Sequence, residues 1–176
     1  HQSLPSALIF LRKVIHFFLF GNIYVALGAF SLCAETIVQF GLIGSSWYYA
    51  SLTLFATLFV YNLQRFVLKQ AQAKTTSIRK TWLQNNRASI GYLVAIGFVG
   101  NLYCVYIIHS VQFILLLSPL FLLSLAYFIP GIHIRKFGWL KLTSLSIVWM
   151  ATTATLPLIL YHKSSTNFFA IFFHSL

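Results

Sequence analysis

Apolar side chains along this chain gather into long blocks separated by short polar breaks. Five blocks are close to the roughly 20 residues that a helix needs to cross a hydrocarbon layer about 30 Å thick. They are Phe17–Glu35, Ser46–Gln64, Ser89–Ile108, Val111–Ile129 and Leu142–Tyr161, and a sixth begins near Asn167. None shows the alternation over about ten residues that marks a strand of a membrane barrel. Helices are the open-ended way to satisfy backbone groups in lipid. The pattern therefore predicts an all-α fold, a polytopic transmembrane helical bundle with five full spans plus the start of a sixth, as one domain over residues 1–176.

Composition strengthens that expectation. The chain is 59% hydrophobic and only 7% charged, where a soluble domain carries roughly 25% charged residues. Too few polar side chains remain to build a hydrated shell, so lipid is the expected solvent. The net charge of +11 would suggest nucleic acid as the partner of a soluble protein; in a membrane protein it points instead to loops retained on the cytoplasmic face, and nucleic acid is not an expected partner. The 12 Lys and Arg residues are distributed accordingly. Arg12 and Lys13 precede the first block, six lie between the second and third from Arg65 to Arg87, and Arg135, Lys136 and Lys141 lie between the fourth and fifth. Only Lys163 falls on the other side, so the N-terminus is expected in the cytoplasm. The apolar run after Arg12-Lys13 is too long for a signal peptide and reads as a retained span. The chain does not begin with Met and stops within NFFAIFFHSL, which suggests the N-terminal part of a larger bundle.

Candidate chemistry is restricted by the acids. Asp is absent and Glu35 is the single Glu, so paired carboxylates or a carboxylate-held metal are not expected within these residues. Glu35 itself falls near the outer end of the first span, where solvation, or a role in relaying protons or binding a cation, would account for it. The six histidines are scattered without an i, i+4 pair, and Cys33 and Cys104 have no ligand spacing, so no metal site is assigned. On the second block Ser46, Ala50, Thr53, Thr57, Tyr61 and Gln64 form one small or polar stripe. Close helix contact or the wall of a cavity would each explain it. Asn62, Arg65 and Lys69 share a face at its cytoplasmic end, suited to a phosphate group or to interfacial anchoring among anionic lipids. The fifth block concentrates Ser144, Ser146, Thr152, Thr153 and Thr155 with Trp149 and Pro157; hydroxyls would satisfy the carbonyl that proline frees, or line a pocket. Tyr48, Tyr49, Tyr61 and Trp139 near span ends suggest an aromatic belt.

Three segments, FATLFVYNLQRF (55–66), YFIP (127–130) and GWLKLTSLSIVWMATTATLP (138–157), together resemble the UbiA family of intramembrane polyprenyl transferases. The resemblance runs from about Asn22 to the chain end, and Asn62 matches the Asn of the family's first signature. The two acids that follow that Asn in the family are replaced here by Phe66 and Gln70. The resemblance implies a bacterial cytoplasmic membrane and transfer of a prenyl group from an isoprenoid diphosphate to a small acceptor. Asn62, Arg65, Lys69 and Lys141 are then the diphosphate-binding candidates, and Thr53, Thr57, Tyr61, Trp149 and Thr153 the cavity-lining ones. Mg²⁺ would need acidic ligands beyond Leu176. The alternative is a UbiA-like bundle without catalysis, serving as a membrane subunit or a lipid-binding partner of a larger membrane complex.

Overall fold

The computed structural model describes residues 6–42, 46–67, 78–109, 111–126 and 146–161. Its elements are α1 (Ser6–Phe20), α2 (Ile23–Gln39), α3 (Ser46–Val67), α4 (Ile78–Asn85), α5 (Arg87–Ile108) and α6 (Val111–Ala126). A last helix, α7, occupies residues 146–161, with a π-helical segment at Ala151–Thr155 and an α-helical end at Leu156–Tyr161. No strand occurs among the described residues, so the fold is all-helical over that range.

Among the described residues one helix, α5, is long and apolar enough to cross a membrane, and Phe10–Phe20 with Ile23–Gln39 would be so together, as a pair bent by 57°. One or two such helices is fewer than the five expected from the sequence, for reasons that differ by element. The 22 residues of α3 include the Ser, Thr, Tyr, Asn, Gln and Arg of its polar stripe, which dilute its apolar character. α6 has 16 residues, and the apolar part of α7 is the shorter stretch Ser146–Ile159. The expected ends of these two blocks, 127–129 and 142–145, lie outside the described residues, as does the sixth block.

The first expected span is also corrected in its boundaries. The block from Phe17 to Glu35 is not one rod, because the chain breaks at Gly21 and Asn22 and α2 continues to Gln39. Asn22 has φ 57°, the left-handed region, which an L-residue enters only as an interruption of a right-handed helix. Gly21 N–H still donates to the Phe17 carbonyl at 2.8 Å, but Asn22 N–H reaches the Leu19 carbonyl at 3.4 Å, a tightened final turn. The other end of α2 closes as a Schellman motif: Leu42 N–H donates to the Ile37 carbonyl and Gly41 N–H to that of Val38. Gly41 takes φ 61° there, where a side chain would be strained. Leu42 and Ile37 then pack in the same apolar cluster, turning the chain toward α3.

Against α3 lie α2 on one side, α5 on another and the π segment of α7. α5 meets the backbone of α3 at Gly97, where a Cβ would stand 2.8 Å from the backbone nitrogen of Phe59 and 2.9 Å from its Cα. Backbone cannot yield as a side-chain tip can, so glycine sets the separation of the two helices there. The buried face of α5 carries Ile90, Leu93, Gly97 and Cys104. Its opposite face carries Tyr92, Val99 and Tyr106, which are 71%, 64% and 75% exposed. Large apolar and aromatic groups thus stand on the outward face as well as the inward one, where a water-soluble helix would carry polar residues outside.

At one end of the bundle α4 lies beside α1, with Trp82 5.5 Å from the Phe20 ring and 6.3 Å from Phe17, centroid to centroid. The same end holds Arg65 near the close of α3 and Arg87 at the start of α5, its guanidinium 5.3 Å from the Phe66 ring centroid. Arg12 and Lys13 stand on α1, which adjoins this end. Arg79 and Lys80 lie on α4, and the other basic residues sought there, Lys69, Lys74, Arg135, Lys136 and Lys141, lie outside the described residues.

Candidate functional site

The break between α1 and α2 leaves carbonyls at the end of α1 without the N–H groups of a following turn. α3 supplies the replacements. The Nδ2 of Asn62 donates to the Gly21 carbonyl at 2.9 Å and to the Leu58 carbonyl, one turn back on its own helix, at 2.8 Å. Three residues on, Arg65 donates from its guanidinium to the Phe20 carbonyl. Both amide hydrogens of Asn62 are therefore committed to backbone, in a side chain that is 0% exposed. Two polar atoms around the break have no partner: the Oδ1 of Asn62 and the Nδ2 of Asn22, itself buried.

A second break lies in α7. Over Ala151–Thr155 the hydrogen bonds widen to the π spacing, with Leu156 N–H donating to the Ala151 carbonyl. The next bond in that register would run from residue 157 to the Thr152 carbonyl, but Pro157 has no N–H. The hydroxyl of Tyr49 donates to the Thr152 carbonyl instead, at 2.8 Å. The hydroxyls of α7 act elsewhere: Thr153 donates to the Trp149 carbonyl at 2.8 Å, and Thr152 to the Val148 and Trp149 carbonyls. The expectation that a hydroxyl of the same helix answers Pro157 is thus corrected, since the donor comes from α3. Tyr49 is corrected with it, being 0% exposed and a core residue rather than a member of an interfacial belt.

The other sequence-chosen residues fall as follows. Ser46, Ala50 and Thr53 are buried, with the Thr53 hydroxyl 2.8 Å from the Ala50 carbonyl and 3.5 Å from that of Ala29 on α2. This part of the stripe is a contact seam between α3 and α2, built from small residues and a hydroxyl that bonds back to backbone. Thr57, Tyr61 and Trp149 are half-buried and Thr153 is buried. Lys69 and Lys141 lie outside the described residues. Asn62 and Arg65 are brought together as expected, but around the Phe20 and Gly21 carbonyls. Among the described residues no group of three or more His, Cys, Asp or Glu gathers.

Sequence reasoning passed over Asn22 and the staple made by Tyr49. A Gly-Asn pair inside an apolar run is a signal for a break, and was available at residues 21–22. No local signal identifies which tyrosine of a distant helix answers a proline 108 residues later. No family model, curated protein or solved structure matches the chain.

Proposed function

We propose that this chain is a multi-pass α-helical membrane protein, UbiA-like in plan, that serves as a non-catalytic membrane subunit or lipid-binding partner of a larger complex. In this reading the five blocks and the start of a sixth cross a bacterial cytoplasmic membrane, and the basic end faces the cytoplasm. The outward face of α5, where Tyr92, Val99 and Tyr106 are exposed, supports lipid as its surroundings. The observation that carries the non-catalytic assignment is the commitment of Asn62. The residue best placed to meet a diphosphate gives both amide hydrogens to the Gly21 and Leu58 carbonyls, and no carboxylate stands at Phe66 or Gln70 to hold Mg²⁺.

Two experiments test the reading. The purified chain incubated with labelled prenyl diphosphates, Mg²⁺ and aromatic acceptors is expected to form no prenylated product. Product formation would establish the transferase, with Arg65, Lys69 and Lys141 as its diphosphate groups. For topology, a cysteine at Thr81 is expected to react with a membrane-impermeant reagent only from the cytoplasmic side. The native Cys33 and Cys104 are buried and do not compete. Labelling of position 81 from outside would overturn the orientation.

A further inference from the structure

α1 is not a continuation of the helix that follows it. Its axis turns 57° from that of α2 at the Gly21–Asn22 break; among the described helices it packs mainly on α2 and α4, and Arg65 of α3 reaches the Phe20 carbonyl at its end. At about 100° per residue, Arg12, Lys13 and His16 fall within a sector of about 100° that Phe20 also enters, whereas Phe10, Leu11, Val14, Ile15 and Phe18 spread over the opposite side. That apolar side is open, with Phe10 69% and Leu11 52% exposed, and no described element covers it. The cationic sector is exposed as well at Arg12 and Lys13. Phe17 and Phe20 meet Trp82 of α4, a residue suited to the headgroup level of a bilayer.

From these features we propose that α1 is an interfacial helix. It lies along the cytoplasmic leaflet with Phe10, Val14 and Phe18 among the upper acyl chains and Arg12 and Lys13 paired with anionic lipid headgroups. The proposal rests on the membrane reading above and adds a lipid class and a site. An exposed apolar face beside a cationic strip is complementary to an anionic leaflet, whose headgroups supply the charge and whose acyl chains supply the solvent. The 57° bend is compatible with this: were α2 along the membrane normal, α1 would stand about 33° from the membrane plane, and a span tilt of about 20° in the sense of the bend would bring it to roughly 15°. Asn22 then forms the corner at which the chain leaves the surface, and Asn62 and Arg65 of α3 hold that corner closed.

The test is a depth profile by nitroxide labels placed singly at Phe10, Val14, Phe18, His16 and Val99 of the full chain in phosphatidylglycerol-containing vesicles. Positions 10, 14 and 18 are expected at one shared shallow depth, about 5–10 Å below the headgroups, with 16 nearer water and 99 deep. A depth that rises steadily from 10 to 18 would show α1 to be part of a span and would overturn the proposal. The same holds if 10, 14 and 18 face water while 99 stays deep. Water access at 99 too would overturn the membrane reading itself, a separable result. The charge pairing is tested by R12Q/K13Q, which is expected to abolish the extra immersion of position 14 in phosphatidylglycerol over phosphatidylcholine. An unchanged preference would refute the anionic partner.

Discussion

Among the described residues α3 closes two helix interruptions, one in α7 and one between α1 and α2, by different chemistry. In α7 the gap left by Pro157 is answered by the Tyr49 hydroxyl, a neutral donor whose ring sits in the apolar cluster with Cys33, Ile37, Leu156 and Leu158. At the α1–α2 break the donors are an amide and a guanidinium, and two amide atoms, Asn22 Nδ2 and Asn62 Oδ1, are left over. The Tyr49 hydroxyl gives the Thr152 carbonyl the partner that Pro157 cannot supply, which removes the desolvation cost at that carbonyl. A break closed by asparagines carries the penalty of its surplus atoms. The first break is thus a settled part of the core, and the second is the place where the fold retains polarity it does not use.

That contrast can be broken by substitution, and the largest effect is expected in α7. Tyr49→Phe keeps the ring and removes the donor, stranding the Thr152 carbonyl, and should destabilise the protein by about 2 kcal/mol. Thermal unfolding in detergent would measure it. In a Pro157→Ala background residue 157 can donate again, so the same Tyr49→Phe change should cost well under half as much. Equal cost in both backgrounds would mean that the hydroxyl does not stand in for the missing N–H. Asn62→Ala should cost less than Tyr49→Phe, about 1–2 kcal/mol, because it strands the Gly21 carbonyl but also removes the surplus Oδ1. The smallest change should come from Asn22→Gly. Glycine accepts the left-handed conformation freely and discards the unpartnered Nδ2, so unfolding should shift upward by at most about 1 kcal/mol. Asn22→Ala, which meets the same φ with a Cβ, should lower stability instead.

How much of this was legible beforehand depends on the range of the interactions. The extents of α3 and α5 follow from hydrophobic blocks and were read to within a few residues: Ser46–Gln64 against Ser46–Val67, and Ser89–Ile108 against Arg87–Ile108. The first block misled because an apolar average passes over a single Gly-Asn pair, whereas backbone geometry does not. Asn62 and Arg65 do lie on one face of α3, as their spacing implies. A sequence shows that two donors point the same way; it does not show that the chain end of another helix, more than 40 residues earlier, needs them. Tyr49 was assigned to an interface by its position near a span end, and only the fold shows that its hydroxyl faces α7.

The most direct test is the unfolding temperature of wild type and Asn62→Ala, each with and without a prenyl diphosphate and Mg²⁺. If Asn62 is a staple for the broken helix, the substitution lowers the unfolding temperature without ligand, and the diphosphate raises neither protein's. If Asn62 instead serves a diphosphate, the two proteins melt alike without ligand, and only wild type gains stability when the diphosphate is added; that result would contradict the assignment made here.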